Sequence, residues 1–237
     1  MIIIPIKEKQ LEGKEVINYR IIRQNRKTAS IRVEEDLTVS VRIPYFMKEK
    51  ELHTFIEQHE AWILRTIEQK KDKKLQRDWL TTGKILYLGD YKKVKIQYSS
   101  REKIEIQDEW LILTTKEGQS EERLRLQMKE FFREKAKELL PEFTKYYAQL
   151  LGVNVNRITI REQKTRWGSC SSRGNIAYNL HLIGAPEACI HYVVLHEVMH
   201  LRFFNHSLSF WKGIEEIMPD YKQRMNDLKL FGQNFSI

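Results

Sequence analysis

The segment His196-Glu-Val-Met-His200, with His206 six residues further on, gathers the side chains best suited to chemistry in this sequence. The two histidines of the segment lie four residues apart inside a strongly apolar stretch, Ile190 to Phe204, whose length and composition suit a buried helix. At 3.6 residues per turn they point the same way, about 6 Å apart along the axis, so one ion can accept both imidazoles. Glu197 adjoins the first histidine, where a carboxylate can take a proton from an attacking water instead of binding the metal. Residue types in this pattern point to hydrolysis assisted by a metal ion.

His206 sharpens that reading. On a straight helix it would sit roughly 9 Å beyond His200 and face away from the ligand side. To reach the same ion the chain must break after about Phe204 and fold back, and Asn205 tolerates the left-handed conformation that ends many helices. Ser207 can then cap a second helix, Leu208 to Met218, which stops before Pro219-Asp220. Three neutral histidines would leave the fourth tetrahedral position of one zinc ion open, the mark of a catalytic site. Imidazoles also accept other first-row divalent metals.

These residues need a scaffold, and 237 residues with 41% hydrophobic and 31% charged side chains supply one with a highly charged surface. No apolar run approaches the roughly 18 residues that span a membrane. Met1-Ile-Ile-Ile-Pro-Ile6 is too short for a signal-peptide core and reads as a first strand. Two cysteines, Cys170 and Cys189, give no disulfide framework and point to a reducing, cytoplasmic setting. The formal charge of +9 favours an anionic partner, although the dense run Lys70-Lys-Asp-Lys-Lys74 reads first as a solvated helix end.

Residues 14 to 43 alternate apolar and polar types, with Glu34-Glu-Asp36 separating two runs as in a hairpin. Lys48 to about Lys71 has helical spacing, and four further strands are expected between Lys84 and Thr115. Glu121 to about Leu151 reads as a second long helix, stopped by Gly152 and kinked or restarted at Pro141. Arg157 to Arg161 and Asn175 to Leu182 are strand-like, and Pro186 suits the opening of the histidine helix. The fold class is therefore α+β. Its β-rich part with one long helix covers residues 1–120, and the metal-binding part covers 121–237.

Between the last two strands lies a loop, Lys164 to Gly174, holding Arg166, Trp167, Gly168 and several small polar side chains. It can form a substrate-facing wall, with Arg166 gripping a carboxylate or phosphate and Trp167 offering a packing face. It can equally be a tight turn anchored by a buried Trp. Cys170 is either a small core residue or a fourth zinc ligand that would close the site. His181 and His191 read as ordinary hydrogen-bonded histidines, and Glu215 and Glu216 as either a solvated face or supports for a ligand histidine.

Taken together, Thr165-Arg-Trp-Gly-Ser-Cys-Ser171, Gly174-Asn-Ile-Ala-Tyr-Asn179, the histidine segment, Asn205-His-Ser207 and Phe210-Trp211 resemble the YgjP-like zinc metallohydrolases, distant relatives of SprT-type zincins. The resemblance covers the last third strictly and the first half only in outline. It implies a zincin-like metallopeptidase region, a small antiparallel sheet plus an active-site helix, with His196, His200 and His206 as ligands and Glu197 as base. It also implies that extended substrate docks along Asn175 to Leu182, which makes Tyr178 and Asn179 candidate substrate-binding residues beside Arg166 and Trp167. The ligand spacing equals that of metzincins, but Phe203 stands where their pattern has glycine, so no metzincin-type turn is implied.

Three functions fit these residues. The first is zinc-dependent peptide hydrolysis, with Tyr178, Tyr192 or Arg166 available to stabilise the oxyanion. The second is metal-dependent phosphohydrolysis of a nucleotide, which the basic balance and Arg166 would suit. The third is a closed, non-catalytic zinc site in a nucleic-acid-binding module, which requires Cys170 as a ligand.

Overall fold

The computed structural model describes residues 2–9, 17–34, 36–163 and 165–234. Met1, residues 14–16, Glu35 and Lys164, which figure in the expected first strand, the alternating region, the hairpin turn and the loop, lie outside the described residues. The chain divides into two compact units, Met1–Gln76 and Arg77–Ile237.

The first unit holds β1 (Ile2–Lys9), β2 (Ile17–Gln24), β3 (Ser30–Val33) and β4 (Val39–Pro44), then α1 (Glu49–Gln58) and α2 (Glu60–Arg77). The sheet order is β1-β2-β4-β3, and the expected hairpin is the antiparallel pair β3–β4, with Ile31 opposite Val41. Strand alternation sends Tyr19, Ile21, Val33, Val39, Val41 and Ile43 to one face, where they share a core with Leu52, Ile56, Ile63 and Ile67 of the helices. The single helix expected from Lys48 is two, because the backbone leaves helical geometry at His59, whose ring bonds to the Phe55 carbonyl at 2.8 Å.

The second unit opens with α3 (Trp79–Thr82), β5 (Lys84–Tyr87), β6 (Asp90–Tyr98), β7 (Lys103–Gln107) and β8 (Trp110–Thr115), in sheet order β5-β6-β8-β7. These are the four strands expected. Next comes α4 (Glu121–Leu151), capped by Ser120 and ended by Gly152 in the left-handed conformation. It is one helical run. Pro141 does not restart it, because Ala136, Leu140, Thr144 and Ala148, one helical turn apart, are all buried on either side.

Then follow β9 (Arg157–Arg161), β10 (Gly168–Cys170) and β11 (Asn175–Asn179), a 3-10 turn at Leu180–Gly184, and the helices α5 (Glu187–Met199), α6 (Leu208–Ile217) and α7 (Tyr221–Asn234). The architecture is α+β with small sheets, as expected, but the sheet beside α5 is mixed and not antiparallel throughout, because β9 pairs with β11 in parallel. The division expected near residue 120 falls inside the second unit, for a visible reason. Leu88 and Gly89 donate backbone hydrogen bonds to Ile183 (2.9 Å) and Gly184 (3.2 Å), tying the β5–β6 turn to the segment that leads into α5. Gly89 has a φ of +89°, and a Cβ there would lie 2.8 Å from the Pro186 Cα, so the two segments touch backbone to backbone.

Candidate metal centre

The α5 helix is buried on nearly every side: Cys189, Ile190, Val193, Val194, Leu195, Val198 and Met199 all lie in the core. An apolar helix of this kind is fixed rigidly by its surroundings, which is what a ligand pair needs. His196 and Glu197 lie in its last turn and His200 closes it. The helix ends earlier than the expected break near Phe204. Arg202 and Phe203 both donate to the Met199 carbonyl at 3.0 Å, so the chain turns back directly after His200. The turn brings His206 to the same point. The three imidazole centroids are 5.0, 5.0 and 4.8 Å apart, and one nitrogen from each lies within 4.8 Å of the others.

The ring of Phe210, fully buried on α6, lies 5.0, 4.8 and 4.9 Å from the three imidazoles and forms their common platform. Trp211 stacks on His206 at 5.6 Å and on Tyr221 at 5.5 Å. The Ser207 hydroxyl accepts from the Phe210 amide at 3.4 Å, so the expected cap sets the start of α6 and thereby aims both rings.

The donor chemistry fits a divalent metal ion. His200 directs its Nδ1 at the Phe203 carbonyl, 3.1 Å away, which leaves Nε2 with a free lone pair. The Nε2 atoms of His196 and His206 face each other at 3.0 Å, near the roughly 3.3 Å that two nitrogens keep on one tetrahedral zinc. Burial and the neighbouring imidazoles depress His196 to a pKa of about 3, and burial lowers His200, so both are held in the neutral form that a metal needs.

Glu197 is buried beside this cluster and outside it. Burial pushes its carboxyl up to about 7, against an opposing pull from Arg166. Its neighbour is the backbone of β10: a Cβ at Gly168 would meet Glu197 Oε1 at 2.6 Å and Cγ at 2.7 Å. A cavity of about 350 Å³ opens here, lined by Trp167, Gly168, Tyr192, His196, Glu197 and, from α7, Leu228. A larger hollow of about 520 Å³, between the end of α4 and the start of β9, shares no residue with the histidines.

The expected substrate residues separate. Trp167 lines the cavity and also braces it, packed on Phe231 at 5.5 Å and against Gly232 of α7, so both readings of the loop hold in part. Arg166 is exposed and acts on the Glu197 carboxylate through its charge. Tyr178 and Asn179 do not line this cavity. The Tyr178 side chain is fully buried and its hydroxyl bonds to the Thr144 hydroxyl at 2.9 Å, which removes it as an oxyanion donor. The Asn179 amide donates to the Gln163 and Arg166 carbonyls at 2.7 and 2.8 Å, shaping the loop from within. Its oxygen accepts from His181 N, which ends the strand at Asn179 before the expected Leu182.

The strand expected to dock substrate is not an edge. β11 is the central strand of the order β10-β11-β9, hydrogen-bonded on both sides, so the edge nearest Glu197 belongs to β10. Tyr192, whose hydroxyl burial drives up to about 12, stays protonated in the cavity as a donor. Cys170 is not part of the histidine cluster, and burial raises its thiol to about 11. His181 sits near Glu162 and His191 between Phe143 and Glu187, in ordinary polar and aromatic contacts. Glu215 and Glu216 are exposed. Reading the sequence missed α7 and its cavity wall, and missed the platform role of Phe210, whose spacing three residues after the Ser207 cap was the available signal.

Three inward-facing imidazoles with a buried carboxylate alongside are the equipment of a metal-dependent hydrolase. The model of the family described as YgjP-like, metallopeptidase domain, matches residues 27–231, and the chain belongs to that family. It is accordingly a metal-dependent peptidase at the level of its family. Among solved structures, the crystal structure of the metallopeptidase zymogen of Pyrococcus abyssi abylysin is similar over 42% of this chain and 100% of that chain, at 22% identity and a TM-score of 0.38. A search of curated proteins finds no match.

Proposed function

We propose that this protein hydrolyses peptide bonds with one zinc ion held by His196, His200 and His206 and with Glu197 as general base. The observation that carries the reading is the position of Glu197: buried, close to the ligands, and pressed against the strand β10. When bound, a divalent ion supplies the Lewis acid that polarises a carbonyl and makes a water nucleophilic near neutral pH.

An extended peptide adds to β10 by backbone pairing, which selects for shape and brings its chain past Glu197. The carboxylate accepts the proton of the attacking water and returns it to the leaving amine. The Tyr192 hydroxyl donates toward the developing oxyanion, and Arg166 adds positive charge at the entrance. Trp167, Tyr192 and Leu228 make the cavity wall that keeps bulk water from the reacting carbonyl. Among the described residues no helix is long and apolar enough to cross a membrane, and a chain with two cysteines suits a reducing cytoplasm. Nucleotide phosphohydrolysis gains no observation from the site.

The test is a product profile by mass spectrometry from a mixed pool of peptides and nucleoside triphosphates. Metal-stripped protein, zinc-restored protein and zinc-restored Glu197→Gln are compared. New peptide termini from the zinc-restored wild type alone are expected. Loss of triphosphates with intact peptides would overturn the proposal.

A further inference from the structure

The cavity beside Glu197 has walls from three elements: Trp167 before β10, Tyr192 and Val193 of α5, and Met225 and Leu228 of α7. Leu228 and Lys229 follow Met225 by three and four residues, so the three share one face of α7. That helix is held at both ends. Tyr221 stacks on Trp211 at 5.5 Å, and near the other end a Cβ on Gly232 would lie 2.9 Å from the Trp167 ring. The face between these anchors is formed before any substrate arrives.

Size and polarity select the occupant. The cavity measures about 350 Å³, and an apolar hole of about 150 Å³ already holds a benzene ring. One phenylalanine or leucine side chain therefore fits. The flexible thioether of Met225 can adjust to either shape. The two formally charged members of the lining, Glu197 and Lys229, are opposite in sign. A charged side chain of either sign would be repelled by one of them, and would leave water for a mainly apolar wall. Alanine or glycine would leave most of that wall uncovered.

Position fixes which residue of a substrate this would be. Gly168 also lines the cavity, which thus opens at the strand β10 along which an extended peptide would pair. The lining includes Glu197 and His196 but neither His200 nor His206, so the cavity lies on the side of the general base. The base returns its proton to the leaving amine, and the residue that supplies this amine is the one nearest to it. On the peptidase reading above, we propose that the cavity seats the side chain of the residue following the scissile bond, that it takes a large uncharged apolar side chain there, and that Met225 and Leu228 set this preference.

The test is kcat/KM of the zinc-loaded full chain on peptides that differ only in the residue after the cleaved bond: phenylalanine, leucine, alanine, glycine, glutamate or lysine. Mass spectrometry identifies each new amino terminus. Full burial of a phenylalanine or leucine side chain implies an advantage of about 10- to 150-fold over glycine. Met225 is 41% exposed, so Met225→Trp fills the cavity from its exposed side. It should lower kcat/KM for the phenylalanine peptide about tenfold more than for the glycine peptide. If that variant is misfolded by circular dichroism, Met225→Ala, which removes part of the wall, should narrow the ratio of phenylalanine to glycine about threefold. Equal rates across the set, a preference for glutamate or lysine, or a ratio that neither variant changes would overturn the assignment while peptide hydrolysis stood. No cleavage of any peptide by zinc-loaded wild type would instead overturn the peptidase reading, and the assignment with it.

Discussion

Replacing Gly168 by alanine probes how closely the base is held. The added Cβ would lie 2.6, 2.7 and 2.8 Å from Oε1, Cγ and Cδ of Glu197. Ordinary contact begins near 3.4 Å, so the carboxylate or β10 must give way by about 0.7 Å. Glu197 is 6% exposed and has little room to retreat. A displacement of that order at a proton-transferring group costs roughly 100-fold in rate. Overpacking itself costs about 1–3 kcal/mol, a fall in Tm of about 2–12 °C for a chain of this size. The assay is kcat and KM on a peptide taken from the product profile, with zinc content by atomic emission and Tm on the same preparations. A fall in kcat of about two orders, with zinc content unchanged, is expected. Full activity in Gly168→Ala at an unchanged zinc content would refute the claim that β10 positions the base.

Three further changes separate the roles assigned to other residues. Phe210→Ala removes the platform under the imidazoles and should cost about 3–5 kcal/mol in unfolding free energy, with weaker zinc binding measured by competition with a chelator. Tyr178→Phe removes the bond to the Thr144 hydroxyl, which keeps its bond to the Leu140 carbonyl at 2.6 Å, and should lower stability by about 1 kcal/mol while kcat/KM stays at the wild-type level; a large loss of activity would return Tyr178 to the active site. Arg125 grips both oxygens of Asp78, at 2.6 and 2.8 Å, and holds that carboxyl below its usual range. A depressed folded pKa gives stability that is present above the unfolded value near 4 and is lost as pH falls through the folded one. Asp78→Asn, which can still cap α3, should therefore cost about 1 kcal/mol at pH 7, and the difference should shrink in thermal melts as pH falls below the unfolded value near 4.

Much of the site was legible because it is local. The four-residue histidine spacing, the Ser207 cap and the stop before Pro219 are all short-range signals, and each appears in the structure where its chemistry puts it. The paired strands β3–β4 and β5 to β8 were legible through alternation and turn residues. The place of β11 inside its sheet was not, because strand order is a long-range property that alternation does not encode. At three residues, β10 is also too short to show a period. Tyr178 and Asn179 have polar tips that suggest exposure, yet Thr144 from α4 and the loop carbonyls satisfy them internally. The helix α7 was overlooked because, among the residues whose burial is described, it buries only Tyr221, Leu228 and Phe231, a narrow stripe on a polar sequence.

The central claim is that Glu197 activates water for attack on a peptide carbonyl at the three-histidine centre. Its most direct test is cleavage of one peptide in heavy-oxygen water by zinc-loaded wild type and zinc-loaded Glu197→Gln, read by mass spectrometry. The account expects one heavy oxygen in each new carboxyl terminus from wild type, and almost no product from the variant at equal zinc content. Unlabelled termini, or equal rates from the two proteins, would contradict it.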